Sequence, residues 1–158
     1  MKSEETVVSL LKAKGLHISF AESCTAGLTA ARLVNVSGAS SVFDLSFVTY
    51  ANQAKIDQVH VSPDSLAAFG AVSETVAAEM AQGCAQEANA EIGVGISGIA
   101  GPEGGTAEKP VGTVCFGFRT PKQTVSETVH FGNLGRENVR AAAVEHVYER
   151  LVTLLETL

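Results

Sequence analysis

The apolar positions along this chain change their spacing several times, and each change marks an element. Residues 137–158 repeat Val139, Ala143, Val147, Leu151, Leu154 and Leu155 at helical intervals, which predicts a long last helix. Residues 111–120 and 123–131 alternate apolar and polar side chains around Pro121-Lys122, the pattern of an antiparallel hairpin. Apolar runs at 17–22, 43–50 and 92–96 predict three further strands. Between them the helix signals are mostly caps. Glu4 and Glu5 suit a first turn, Lys12 and Lys14 a last one, and Gly15 a stop. Residues 25–36 read as a second helix closed by Ser37-Gly38, and 53–59 as a short third. Ser62-Pro63-Asp64 opens a fourth, which Phe69-Gly70 ends, and Ser73-Glu74 opens a fifth reaching to about residue 89. Strands interleaved with helices, plus one hairpin, predict an α/β protein. The expected architecture is a three-layer α/β/α sandwich with a mixed sheet, in one domain over residues 1–158.

Composition narrows the function. Hydrophobic residues make up 46% of the 158 and charged residues 18%, enough for a packed core. The net charge is -6 and no Lys/Arg cluster interrupts it, which argues against a nucleic-acid or anionic-membrane surface. No run approaches the ~18 apolar residues of a membrane span, and the first residues lack the pattern of a signal peptide. Cys24, Cys84 and Cys115 are odd in number and far apart, so neither a disulfide framework nor a zinc site is expected. These features point to a reducing, cytoplasmic setting.

Three segments carry candidate chemistry. In AESCTAG, Ser23, Cys24 and Thr25 follow a predicted strand and precede a helix. Hydroxyls there cap helices; the same place also gives a serine free backbone N–H groups that can hold an oxyanion. Local sequence favours the cap. The G-x-S-x-G elbow is absent, since Ala21 and Thr25 flank Ser23, and none of His17, His60, His130 or His146 occupies a motif position. In VTYANQAK, Tyr50 ends a predicted strand and Lys55 opens the next helix. A lysine partly buried beside a phenol loses its proton below the usual value of about 10.4 and serves as a base. A solvated lysine explains the spacing equally well. A Cys24–Glu22–Lys55 set is a rival, although Cys24 also fits as a small buried hydrophobe. In SGIAGPEGG, Gly98, Gly101, Gly104 and Gly105 permit close ligand approach, with Ser97 and Thr106 as hydroxyl donors. The spacing is neither a Walker A loop nor G-x-G-x-x-G. Arg136 and Arg140 lie four apart on one predicted helix face.

Taken in order, AESCTAG, VTYANQAK, GAVSETVA, SGIAGPEGGTAEKPVG and the run from Phe131-Gly132 to Arg136 and Arg140 resemble the CinA C-terminal domain over nearly the whole chain. Characterised members of that family are nicotinamide mononucleotide amidohydrolases of the PncC type. The resemblance implies hydrolysis of the carboxamide of nicotinamide mononucleotide to nicotinic acid mononucleotide and ammonia, in pyridine nucleotide salvage. It implies Ser23 as nucleophile, Lys55 as base and Tyr50 as an assistant in the same network. Backbone at Cys24, Thr25, Ala26 and Gly27 would form the oxyanion turn. Ser97, Gly98, Gly101, Gly104, Gly105, Arg136 and Arg140 would surround the ribose phosphate. No metal or organic cofactor is implied, and a homo-oligomer is, for which an exposed apolar face on the last helix is expected. Two positions depart from the family pattern: Ala26 stands where S-C-T-G-G has glycine, and Ser97 where T-G-I-A-G-P has threonine. Some members lack the deamidase activity, so a silent nucleotide-binding or partner-binding protein is the alternative. Longer CinA proteins carry an N-terminal nucleotide-processing domain for which these 158 residues leave no room.

Overall fold

The computed structural model describes all 158 residues. Helix α1, Ser3–Lys14, begins where the Glu5 carboxylate accepts the Lys2 N–H at 2.9 Å and ends at a left-handed Gly15, φ 66°. It buries Val7, Val8 and Leu11. Strand β1, Ile18–Glu22, is buried throughout because it lies inside the sheet. Helix α2 is Leu28–Leu33, β2 Phe47–Val48, α3 Asn52–Val59 and α4 Pro63–Phe69. The Ser62 side chain caps α4, and that of Ser73 caps α5, Glu74–Ala88. Strand β3, Ile92–Gly98, precedes the long loop; β4, Thr113–Arg119, and β5, Thr124–His130, form the hairpin. Helix α6, Arg136–Glu156, closes the chain.

The sheet order is β2-β1-β3-β4-β5, with β1 parallel to β2 and β3, and β4 antiparallel to both β3 and β5. Side chains alternate between its faces. Ile18, Phe20, Ile92, Val94, Ile96, Val114, Phe116 and Phe118 join the buried sides of α1, α2 and α6 in the larger core. Ala21 faces the other way, towards Val59, Val61, Val76, Met80 and Cys84 under α3 and α5. The result is a three-layer α/β/α sandwich on a mixed sheet. On the α5 face β3 and β4 are lined with glycine. A methyl at Gly95 or Gly117 would overlap the Ala77 carbonyl oxygen, and one at Gly93 that of Ala81. Helix α5 therefore rests its main chain almost directly on the sheet.

Three expectations need correcting. Helix α2 begins at Leu28 instead of residue 25, because Ala26 (φ 47°) and Gly27 (φ 98°) are both left-handed and hold the preceding turn open. The strand expected at 43–50 pairs only at Phe47–Val48, with an isolated bridge from Phe43 to Ile18. The apolar face of α6 is buried in the core, so it offers no exposed surface. The exposed large apolar residues lie elsewhere, among them Leu28, Val48, Tyr50 and Leu134. No helix is long and apolar enough to cross a membrane.

Candidate active site

The carboxyl ends of parallel strands β1 and β3 lie side by side, the usual place for a ligand crevice in such sheets. Ser23 directly follows β1, and its N–H donates to the Ile96 carbonyl of β3 at 3.0 Å. The chain then turns sharply, with the Ala26 N–H on the Ser23 carbonyl at 3.1 Å and the Leu28 N–H on that of Thr25 at 3.0 Å. The N–H groups of Cys24 and Thr25 have no acceptor within the protein. Ala26 itself is exposed, so its methyl points outward and what it brings to the turn is left-handed backbone strain.

Lys55 arrives from α3. Its side chain is 1% exposed, and its Nζ lies 3.1 Å from Ser23 Oγ, 2.8 Å from the Thr49 carbonyl and 3.2 Å from that of Tyr50. No carboxylate is within ion-pair reach. Burial favours the uncharged amine and lowers the Lys55 pKa. Ser23 is 9% exposed, so an edge of this pair remains open.

The other candidates divide. The Tyr50 phenol points away from the lysine; only its carbonyl touches Nζ, and its hydroxyl accepts from Arg136 Nη2 at 3.0 Å. Glu22 belongs to a different structure. Its carboxylate accepts the N–H groups of Thr29 and Ala30 at 2.9 and 3.1 Å and so caps α2, which removes it from a Cys24–Glu22–Lys55 set. Burial also pushes the Cys24 thiol up to about 11, leaving it protonated and a poor nucleophile at neutral pH. Ser97 is buried and follows Ile96, the partner of Glu22 in the β1–β3 register, which sets it beside Ser23.

Arg136 donates to the Gly101 carbonyl at 2.8 Å, while Arg140 donates to those of Cys24 at 2.8 Å and Thr25 at 3.4 Å. The two arginines thus tie α6 to the glycine-rich loop and to the Ser23 turn. Gly98 packs against Val114, whereas Gly104 and Gly105 lie out on the exposed arm of the loop. Thr106 uses its hydroxyl within that arm, on the Lys109 N–H. The segment GAVSETVA forms the α4–α5 junction. Part of it lines a cavity of about 460 Å³ with Lys109, Thr113, Cys115, Thr128 and His130. The histidines pair elsewhere: His17 with Asp44, His60 with Glu87, His130 with Thr113 and His146 with Glu127. Thr49 is the residue that the sequence reading overlooked. It enters through its main-chain carbonyl, and no side-chain pattern signals that.

The family model of the CinA C-terminal domain matches residues 1–155. This chain belongs to that family. A CinA-like protein of Syntrophobacter fumaroxidans is 47% identical over 142 residues, which cover 90% of this chain and 33% of that protein. The chain thus spans about a third of the length of such relatives. A protein of Enterobacter agglomerans named nicotinamide-nucleotide amidohydrolase PncC is 55% identical over 108 residues, 68% of this chain and 66% of its own. Among solved structures, a CinA superfamily protein of Klebsiella pneumoniae superposes with a TM-score of 0.93 at 34% identity, each chain fully covered. The competence/damage inducible protein CihA of Agrobacterium tumefaciens gives 0.92 at 38% identity, covering 98% of this chain and 96% of that one. In this chain Ser23, just after β1, and Lys55, on α3, meet although they lie 32 positions apart in sequence.

Proposed function

We propose that the protein is a nicotinamide mononucleotide deamidase that works through Ser23 and Lys55. The observation that carries this reading is the 3.1 Å approach of Lys55 Nζ to Ser23 Oγ by a buried amine with no carboxylate partner. A neutral amine has two N–H donors and one lone pair. The Thr49 and Tyr50 carbonyls take the two donors, and the lone pair then faces the Ser23 hydroxyl. Ser23 Oγ attacks the carboxamide carbon as its proton passes to Lys55 Nζ. The N–H groups of Cys24 and Thr25 receive the oxyanion. The C–N bond breaks, Lys55 returns the proton to the departing nitrogen, and ammonia leaves. Water gives a proton to the same amine as it attacks the acyl carbon, the bond to Ser23 Oγ breaks, Lys55 returns the proton to Oγ, and nicotinic acid mononucleotide leaves. The relative in Enterobacter agglomerans that bears the amidohydrolase name supports this choice of substrate.

Ammonia release from nicotinamide mononucleotide tests the reading directly. Wild type should turn over. Ser23→Ala and Lys55→Ala should each lose activity by at least about 1,000-fold, as when one member of a catalytic pair is removed. Cys24→Ala should stay within a few-fold of wild type. Folded wild type that binds the mononucleotide without releasing ammonia would favour a silent binding protein instead.

A further inference from the structure

Arg32 and Arg150 are held to glutamates by ion pairs. Arg140 is not; its partners are two carbonyl oxygens of the Ser23 turn, Cys24 through Nε at 2.8 Å and Thr25 through Nη2 at 3.4 Å. The Nε side of its fork, one of the edges that would grip a phosphate, is therefore occupied.

The consequence lies on the other side of the peptide. A trans peptide holds its C=O and N–H in opposite directions. A Cys24 carbonyl drawn to Arg140 turns the Thr25 N–H away from the guanidinium. That N–H has no acceptor within the protein, and it lies two residues after the nucleophile. A carbonyl that accepts from a cation also makes the N–H of its own peptide a stronger donor. The site thus has a fixed positive charge acting through one peptide unit, with the free end of that unit at the turn.

We propose that Arg140 is a positioning residue. It fixes and polarises the Cys24–Thr25 peptide so that the Thr25 N–H holds the oxyanion formed at Ser23, and it does not bind the substrate's phosphate. The proposal rests on the Ser23–Lys55 deamidase reading. It differs from the expectation that Arg140 surrounds the ribose phosphate, and the two roles leave different kinetic marks.

The experiment compares wild type, Arg140→Lys and Arg140→Ala on nicotinamide mononucleotide and on nicotinamide riboside, which lacks the phosphate. It also measures the rate at which a fluorophosphonate labels Ser23. Arg140→Ala should lower kcat on the order of 100-fold, the usual loss when one oxyanion donor is removed. KM should stay within about threefold, as expected when an interaction made only in the transition state is lost. The preference for mononucleotide over riboside should not change, labelling should slow in step with kcat, and guanidinium ion in the buffer should restore part of both. A KM for the mononucleotide raised about tenfold with kcat kept, together with a lost preference over the riboside, would overturn the proposal and make Arg140 a phosphate ligand. Unchanged kcat and labelling would overturn it as well. Should Arg140→Ala fail to fold, Arg140→Lys decides: a fall in kcat supports the proposal and a rise in KM alone overturns it. If wild type labels but releases no ammonia, the deamidase reading fails and the labelling ratio still decides Arg140. Wild type that neither labels nor turns over overturns both.

Discussion

A lysine ammonium has three protons to place, and around Lys55 Nζ the protein offers two carbonyls and one serine hydroxyl. Burial lowers its pKa, and the sign of the linkage follows. In the unfolded chain the group titrates near 10.4. Below the folded value both states carry the proton, and the buried charge weighs on the native state alone. Between the two values the unfolded chain holds more protons, so native stability rises with pH. Wild type should gain stability relative to Lys55→Met as pH rises from neutrality towards about 10.4, read from denaturant midpoints at several pH values. A difference that does not vary with pH would contradict a lowered Lys55 pKa. Ala26 is a second residue-scale case. It adopts φ 47° where the family pattern has glycine, with its methyl in solvent. Ala26→Gly should raise stability by about 1 kcal/mol, because a left-handed alanine is strained and glycine is not. Thermal unfolding would show this as an increase of a few degrees.

At the scale of elements, the glycine-lined face under α5 matters most. Gly95→Ala places a methyl against the Ala77 carbonyl, so the helix must lift or the strand must bend. A loss of about 1–3 kcal/mol is expected, as for other overpacked cores, measurable by urea unfolding. A neutral result would mean that α5 sits further from the sheet. This face also explains why some elements were legible in the sequence and others were not. Helix α5 announced itself through Ser73, whose side chain caps it, and β4 and β5 through their alternation about Pro121-Lys122. The strand expected at 43–50 rested on an apolar run, yet β2 is an edge strand with one neighbour. Its chain leaves the sheet after Val48, and the carbonyls of Thr49 and Tyr50 go to Lys55. The start of α2 was hidden because cap residues and turn residues share one vocabulary, and only the left-handed pair Ala26-Gly27 separates them. The Ser23–Lys55 approach joins segments 32 positions apart, so local spacing offered Lys55 as a candidate base no more strongly than as a solvated lysine, and the family resemblance paired it with Ser23. Arg136 and Arg140 were legible as neighbours on a helix face, but their carbonyl partners come from distant loops.

For the molecule as a whole, Arg32 joins the helices of one layer. From α2 it reaches Glu4 and Ser3 of α1 and Glu145 of α6, and its guanidinium lies 4.8 Å from the centre of the Tyr148 ring. Burial pushes the Glu4 carboxyl up, but its backbone hydrogen bond and Arg32 outweigh that and hold it below its ordinary range. The pair's stabilisation is therefore present above the unfolded value of about 4.3 and is lost as pH falls through the folded value. Arg32→Ala leaves Glu4 unpaired. The partial exposure of both side chains keeps the cost near 2 kcal/mol, under that of a fully buried pair. Thermal melts should show a lower midpoint at pH 7 and a smaller loss of stability between pH 5 and 3 than in wild type.

The two oxygens that orient Lys55 belong to the main chain, and a main chain does not mutate. Replacing the hydroxyl at Thr49 or the phenol at Tyr50 leaves both acceptors where they were, provided that the turn keeps its course. Selection on the amine's orientation therefore acts on the path of the backbone into α3, where the Lys55 N–H closes the first helical turn on the Ala51 carbonyl. A change of side chain at position 49 or 50 reaches the base only through the course of that turn, as at Thr49, whose side chain is fully buried.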